Sequence, residues 1–228
     1  MVKHKYQTLN AKQAYRLVNS KFPPESLFDD VADEQEFDAI YAIQALTNPR
    51  IQHECGNIAL LSKGEIPFGI QGVNYATAPF THINPDGSRF SDGTYGMLYA
   101  ADTIQTAIAE TKYHQEKAFQ NIVGLHYDTV IMRGIAVSFS GKVVNAINNE
   151  AIHVTNDYTN SRIFGNTLRK NNELGIYYKS VRNEGAFCWG LFSPSTVHSA
   201  IQTKHFEFVY NGKCISSVRE ISIVTSTT

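Results

Sequence analysis

The sequence has few cysteines, no long apolar run and no excess of charge of one sign. Its three cysteines, Cys55, Cys188 and Cys214, are odd in number and widely spaced. A disulfide framework favours an even number of cysteines in a short secreted chain, and a zinc site favours closely spaced Cys or Cys and His. Neither kind of site is expected, and the thiols are predicted to stay reduced in a cytoplasmic protein.

Membrane insertion and secretion are not expected either. No segment approaches the roughly 18 consecutive apolar residues of a transmembrane helix. The positively charged start, Met1 to Gln7, is not followed by the apolar run of a signal peptide.

Charge is balanced along the chain. Twenty basic and 21 acidic residues give a formal net charge of -1, and the longest basic run is Arg169-Lys170. Sequence-independent binding to nucleic acid requires a cluster of Lys and Arg. Direct DNA binding is therefore not expected.

Common nucleotide, metal and hydrolase motifs are also missing. The glycines from Gly134 to Gly141 are too far apart for a phosphate-binding loop, and Val143 replaces its Ser or Thr. His53-Glu54 lacks the second histidine of a zinc protease motif, and there is no Gly-x-Ser-x-Gly nucleophile turn. The eight histidines are scattered, so no metal is predicted.

Hydrophobic content of 43% and charged content of 18% are typical of a globular chain. A single α+β domain over residues 1–228 is predicted, with a mainly helical N-terminal section over about residues 1–75. One helix is predicted from the capping pair Asn10 and Gln13, and a second from Asp33 to Leu46.

Short strands and loops are predicted over residues 56–86, then a strand at Met97–Ala100 and a helix from Asp102 or Thr103. Residues rich in Val, Ile and Phe predict two or three strands between Ile122 and Ala146, with breaks at Gly134 and Ser140-Gly141.

The last third of the chain is predicted to begin with a helix over Asn160–Glu173, stopped by Gly175. Strands follow at Ile176–Val181 and Ala186–Phe192. Asn211-Gly212 predicts a type I′ turn in a final hairpin.

The segment from Gly87 to His114 contains the polar groups with the best claim to chemistry. Arg89 lies in a loop between glycines, where the backbone can approach a ligand closely. A guanidinium can bind a phosphate through two parallel hydrogen bonds. Glu110 lies about 60° from Ala107 around the predicted helix, at the edge of its apolar stripe. Taken singly, Arg89 could equally be a surface arginine and Glu110 an exposed helix residue.

Three further residues are candidates. Tyr99 follows the Arg89 loop in a predicted strand, where the simple alternative is a half-buried core tyrosine. Ser180 falls in another predicted strand, where its hydroxyl could merely bind backbone. Strand alternation places Arg182 on the same face as Ser180, which predicts a second cation beside that serine.

Together these residues form a pattern that resembles the RES domain family, whose name records an Arg, a Glu and a Ser. The similarity covers about residues 80–195, and Phe90-Ser91 stands where the family usually has Trp-Asn. The segments that carry it are Gly87-x-Arg89-Phe90, Leu98-Tyr99-Ala100, Ala107-Ile-Ala-Glu110, Gly175-Ile-Tyr-Tyr-Lys-Ser180-Val-Arg182 and Cys188-Trp189-x-Leu-Phe192.

The resemblance implies a toxin of a toxin–antitoxin pair, with a split, curved sheet like that of ADP-ribosyltransferases. NAD would be its substrate and no separate cofactor is implied. An Xre-type antitoxin would be its protein partner, and DNA would be bound only through that antitoxin.

The resemblance also implies roles for the candidate residues. Arg89 would hold phosphate, and Glu110 would bind the ribose hydroxyls and stabilise the cationic transition state. Tyr99 would contact the nicotinamide ribose, and Ser180 would position the ligand or the arginine. Arg182 could hold inorganic phosphate as the attacking group.

Three functions stay open at the level of sequence. The first is an NAD glycohydrolase or phosphorylase toxin. The second is a protein mono-ADP-ribosyltransferase, and the third is a binding module in which Arg89 and Glu110 form a structural ion pair.

Overall fold

A computed structural model describes residues 4–21 and 57–222 of the chain. Seven strands form one sheet: β1 (Tyr6–Asn19), β2 (Leu98–Ala101), β3 (Asp128–Asn145), β4 (Gly175–Lys179), β5 (Phe187–Leu191), β6 (Val197–Tyr210) and β7 (Ile215–Ile221). Among the described residues, the helices that accompany it are α1 (Val73–Thr81), α2 (Ile104–Gln120) and α3 (Thr159–Lys170), with short 3₁₀ turns between elements. The α+β class predicted from sequence is confirmed.

The sheet curves until five of its strands close on one another. Its order is β1-β2-β5-β4-β3-β6-β7, and β1 also pairs with β3. The β1–β3 pairing is antiparallel and runs from Tyr6 opposite Val144 to Asn19 opposite Met132. By contrast, β1 meets β2 only where Tyr15 lies opposite Ala101. A cleft lies beside that pair, lined by residues of both strands.

The N-terminal segment is a strand, so the helix predicted from Asn10 is wrong. The Asn10–Gln13 capping pattern is local, whereas the pairing of β1 with the long strand β3 satisfies its backbone groups through distant partners. Ala11, with a φ of 43°, lies in the register shift between Leu9 and Lys12. The helix predicted over Asp33–Leu46 lies outside the described residues.

Strand β3 is a single strand of 18 residues rather than the two or three predicted. Its pairing with β6 shifts register between Arg133 and Ile135, on either side of Gly134. Gly141 has a φ of 142°, a conformation that glycine adopts readily. Both glycines therefore bend a continuous strand instead of ending it.

Residues 57–86 hold a helix that the sequence did not predict. Helix α1 contains Pro79 and buries Ala76 and Phe80 against β2 and β6. Two 3₁₀ turns precede it, so the prediction of short strands in this region is wrong.

Helix α2 is confirmed, with Thr103 as its N-cap: the Thr103 hydroxyl accepts a hydrogen bond from the backbone N–H of Thr106. Helix α3 is also confirmed, but Gly175 does not end it. Asn172 takes the left-handed conformation after α3, with a φ of 55°, and Gly175 begins β4.

The C-terminal hairpin is confirmed between β6 and β7, but its turn is not type I′. Tyr210 pairs with Ile215, which leaves a four-residue loop. A type I′ turn requires positive φ at both central residues, and here Gly212 has it while Asn211 does not. The Asn211 side chain instead accepts hydrogen bonds from the backbone N–H groups of Lys213 and Cys214.

The core lies on both faces of the curved sheet. One buried cluster, with Phe90, Leu168 and Tyr178, packs under α2 and α3. The other, with Phe139 and Trp189, includes Ala76 and Phe80 of α1. Among the described residues, no helix combines the length and the apolarity that crossing a membrane requires.

Candidate active site

The cleft beside the β1–β2 junction has a volume of about 180 Å³. Pockets for drug-sized ligands typically measure about 300–1,000 Å³, so this cleft is sized for one part of a dinucleotide. It brings together residues from β1, the Arg89 loop, β2, α2, β4 and β5. Its lining includes Tyr15, Leu17, Ser88, Arg89, Tyr99, Ala107, Glu110, Thr111, His114, Tyr178 and Cys188.

Arg89 is buried, with 7% of its surface exposed. Its Nη1 donates to the backbone oxygens of Ile152 and Val154, each at 3.1 Å. The guanidinium carbon lies 4.5 Å from the centre of the Tyr158 ring, a cation–π contact. Nη2 is buried and has no hydrogen-bond partner among the described residues. Because an unpaired buried donor is costly, Nη2 is well suited to an anionic ligand.

Tyr99 fixes the loop that carries Arg89. Its hydroxyl forms a 2.7 Å hydrogen bond with Ser88 Oγ and accepts one at 3.0 Å from the backbone N–H of Phe90. Burial raises the pKa of Tyr99 to about 12, although both hydrogen bonds oppose that shift. The phenol is therefore neutral at physiological pH, and it supports both neighbours of Arg89 in the chain.

Helix α3 holds the same loop from the other side. Arg162 donates from Nε to the Ser88 carbonyl at 3.0 Å and from Nη2 to the Asp86 carbonyl at 2.7 Å. A Cβ at Gly165 would lie 2.0 Å from the Phe90 carbonyl oxygen. The helix approaches the Arg89 loop so closely that only glycine fits at this position.

The two residues after Arg89 have structural contacts. Phe90 is fully buried and packs edge-on against Tyr178, with ring centres 4.8 Å apart. The Ser91 hydroxyl is also buried and donates to the Tyr95 carbonyl at 2.5 Å. Neither residue lines the cleft, so their role in this structure is to shape the loop.

Glu110 and Ser180 meet directly in the cleft region. Ser180 Oγ donates a 2.6 Å hydrogen bond to Glu110 Oε1. The same Oγ accepts hydrogen bonds from the backbone N–H groups of Arg182 at 3.2 Å and Asn183 at 3.0 Å. Those two contacts direct the serine proton towards the carboxylate. Ser180 therefore contacts Glu110 in this structure, whereas the sequence suggested that it positions the ligand or the arginine.

Arg182 does not share a strand face with Ser180, because β4 ends at Lys179. Instead its Nη2 donates to the Thr155 carbonyl, and its guanidinium carbon lies 3.3 Å from the centre of the Tyr113 ring. Arg182 is not among the lining residues, so strand alternation was the wrong basis for placing it at the site.

His114 is a cleft residue that the sequence did not single out. It follows Glu110 by four positions on α2, and residues four apart share a helix face. That spacing was a signal that could have indicated it. Desolvation lowers the pKa of His114, Glu110 opposes this change, and the positive charges of Arg182 and Arg89 reinforce it.

Arg16 on β1 also lines the cleft and is a second cation, with a pKa that burial lowers to about 10. The wall residues Cys188 and Tyr178 stay neutral. Burial raises the pKa of the Cys188 thiol and of the Tyr178 phenol, and nearby Glu110 acts in the same direction on both. A thiol held in its protonated form is a poor nucleophile. The described residues contain no group of three His, Cys, Asp or Glu side chains arranged to hold a metal ion.

Comparison with known proteins gives the same family as the sequence pattern. The sequence model of the RES domain matches residues 66–211. The chain belongs to the RES domain family. A relative, the uncharacterized protein y4oC of Sinorhizobium fredii, is 30% identical to this RES domain protein over 202 residues, which are 89% of this chain and 84% of the relative.

Among solved structures, this RES domain protein is similar to a chain of the MbcT–MbcA toxin–antitoxin complex of M. tuberculosis. The sequence identity is 12% and the TM-score is 0.36, with 52% of this chain and 73% of that chain covered.

Proposed function

We propose that this RES domain protein is the toxin of a toxin–antitoxin pair and depletes NAD by breaking the bond between nicotinamide and ribose. The observation that carries the proposal is that Glu110, which lines the same cleft as Arg89, is held by a hydrogen bond from Ser180 behind the cleft wall. A buried guanidinium with a free donor suits a pyrophosphate, and an oriented carboxylate suits a ribose that becomes cationic.

The chemistry needs few groups from the protein. Nicotinamide leaves NAD as a neutral molecule from a ring that is already cationic, so no general acid is required, unlike ordinary glycoside hydrolysis. Positive charge develops at the ribose C1′, where a preorganised carboxylate stabilises it. The hydrogen bond from Ser180 to Glu110 Oε1 holds that carboxylate and leaves Oε2 for a ribose hydroxyl.

The other end of the substrate is anionic. Arg89 Nη2 would donate to the pyrophosphate, while Nη1 and the Tyr158 ring hold the guanidinium in place. The hydroxyl of Tyr99 is occupied by Ser88 and Phe90, so Tyr99 would contact the ribose or nicotinamide through its ring. The small cleft would take this reacting end, and the adenosine would extend towards the surface.

The proposal includes a fold like that of ADP-ribosyltransferases, as the resemblance to the family implies. It also includes an Xre-type antitoxin as the protein that blocks the site. Membership of the RES domain family supports both parts.

The test is NAD turnover by the purified protein and by a Glu110→Gln variant. Losing a preorganised electrostatic group costs about 2.7–4 kcal/mol, so the variant should be slower by roughly a hundredfold or more. Glu220→Gln is the matched control, because Glu220 forms an exposed ion pair on β7. Equal rates for Glu110→Gln and the wild type would remove Glu110 from the mechanism.

The products separate this function from a protein ADP-ribosyltransferase. Labelled NAD incubated with a cell lysate should yield free ADP-ribose or its phosphate, with no label on a protein band. Label on protein would favour the transferase, and no loss of NAD would favour a binding module.

A further inference from the structure

We propose that His114 is a further catalytic residue, whose imidazole takes the proton of the water that replaces nicotinamide on the ribose. The inference rests on the proposed function and deepens it, because it names water rather than phosphate as the acceptor.

The position of His114 in the cleft is the first argument. Glu110 and His114 both line it and lie one turn apart on α2. Four residues advance a helix by about 6 Å and rotate it by about 40°. A ribose whose C1′ faces Glu110 therefore has His114 along the same wall, and part of the His114 surface still reaches solvent. The imidazole can thus contact both the reacting sugar and incoming water.

The charges around His114 favour its neutral, basic form. Arg182 from the turn after β4 and Arg89 from the loop before β2 act against its protonation, in the same direction as desolvation. Glu110 on α2 is the group that opposes them. Of the other wall residues, Tyr178 and Cys188 are uncharged and Arg16 on β1 is a further cation. A neutral imidazole at neutral pH is the form that accepts a proton.

A basic imidazole serves water as the acceptor rather than phosphate. Phosphate is already an anion when it attacks, whereas water must lose a proton to a base. Arg182, the cation suggested for holding phosphate, donates from Nη2 to the Thr155 carbonyl and stacks on Tyr113, which leaves its buried Nε without a hydrogen-bond partner among the described residues. It is also not among the residues that line the cleft. Water carries no charge, but it needs a base.

The step balances with these groups alone. The bond between C1′ and the nicotinamide nitrogen breaks, and its electron pair neutralises the pyridinium. The water oxygen bonds to C1′, and its proton moves to an imidazole nitrogen of His114. The proton then passes to solvent, which leaves ADP-ribose and neutral nicotinamide.

The test compares the wild type with His114→Gln, with and without sodium azide. Azide is already anionic and needs no base to attack C1′. General acid–base catalysis contributes about 10²–10⁴-fold, so His114→Gln should lose hydrolysis by a factor in that range. Azide should restore nicotinamide release and give ADP-ribosyl azide. His198→Gln is the matched control, because His198 bonds Ser140 on the sheet outside the cleft.

Each result has a distinct meaning. Loss of hydrolysis with azide rescue supports the inference. A second supporting result is a pH–rate profile in which the wild type has an acidic limb, with an apparent pKa below 6.5, that His114→Gln lacks. Wild-type hydrolysis in His114→Gln overturns the inference and leaves the proposed function standing. A loss of hydrolysis without azide rescue also overturns the inference. The same holds if a phosphorylated ADP-ribose is the main product in phosphate buffer. No NAD cleavage by the wild type overturns the proposed function, and the inference with it.

Discussion

Ser180 Oγ lies 2.6 Å from Glu110 Oε1, although the two residues are 70 positions apart in the chain. The serine has a single proton, and the turn after β4 directs it to the carboxylate through two backbone N–H donors. This contact joins the turn after β4 to α2. The serine of the family pattern therefore holds the glutamate side chain in place.

Ser180→Ala should lower the turnover number for NAD more than it changes KM. A hydrogen bond to a charged group is worth about 1.5–3 kcal/mol, which corresponds to roughly ten- to a hundredfold in rate if it serves the transition state. Steady-state kinetics with NAD as the varied substrate measure both constants. Ser195→Ala, at an exposed 3₁₀ turn, is the control. A rise in KM alone would mean that Ser180 contacts the substrate instead.

Tyr99→Phe should destabilise the fold by about 1–3 kcal/mol, because the buried Phe90 N–H and Ser88 hydroxyl lose their partner. The deficit should depend on pH. The folded-state pKa of Tyr99 is raised from 10.0 to about 12, so its contribution is complete below pH 10 and declines as pH rises towards 12.

Urea unfolding of both proteins between pH 7 and pH 12 gives this difference directly. The other tyrosines are present in both proteins, so their titration cancels in the difference between the two unfolding free energies. A deficit that stayed constant to pH 12 would show that Tyr99 does not titrate as described.

Gly165→Ala should destabilise the protein. Alanine in the middle of a helix is usually more stable than glycine by about 0.5–1 kcal/mol, so the expected effect has the opposite sign. The added Cβ would meet the Phe90 carbonyl oxygen at 2.0 Å. Helix α3 would have to move away from the Arg89 loop, and KM for NAD should rise with the loss of stability. Gly64→Ala is the control, since its Cβ meets nothing within 4 Å. Thermal unfolding with and without NAD measures both effects, and a stabilised Gly165→Ala protein would contradict the close packing.

Local sequence determined the elements whose signals are contained within a few residues. Thr103 caps α2, and Ile104, Ala107 and Ile108 form its apolar stripe, because capping and periodicity act over one or two turns. Helix α3 and the β6–β7 hairpin were predictable for the same reason. The order and spacing of Arg89, Glu110 and Ser180 also sufficed to identify the family.

Tertiary structure decided the rest. The segment around Asn10 has a helical capping pattern, yet it is a strand because β3 satisfies its backbone hydrogen bonds from more than a hundred residues away. The contact of Ser180 with Glu110, the position of His114 on the cleft wall and the packing of Arg89 on Tyr158 depend on which elements meet in space. Local sequence patterns do not specify these contacts, because the free energy that forms them comes from packing between elements that are distant in the chain.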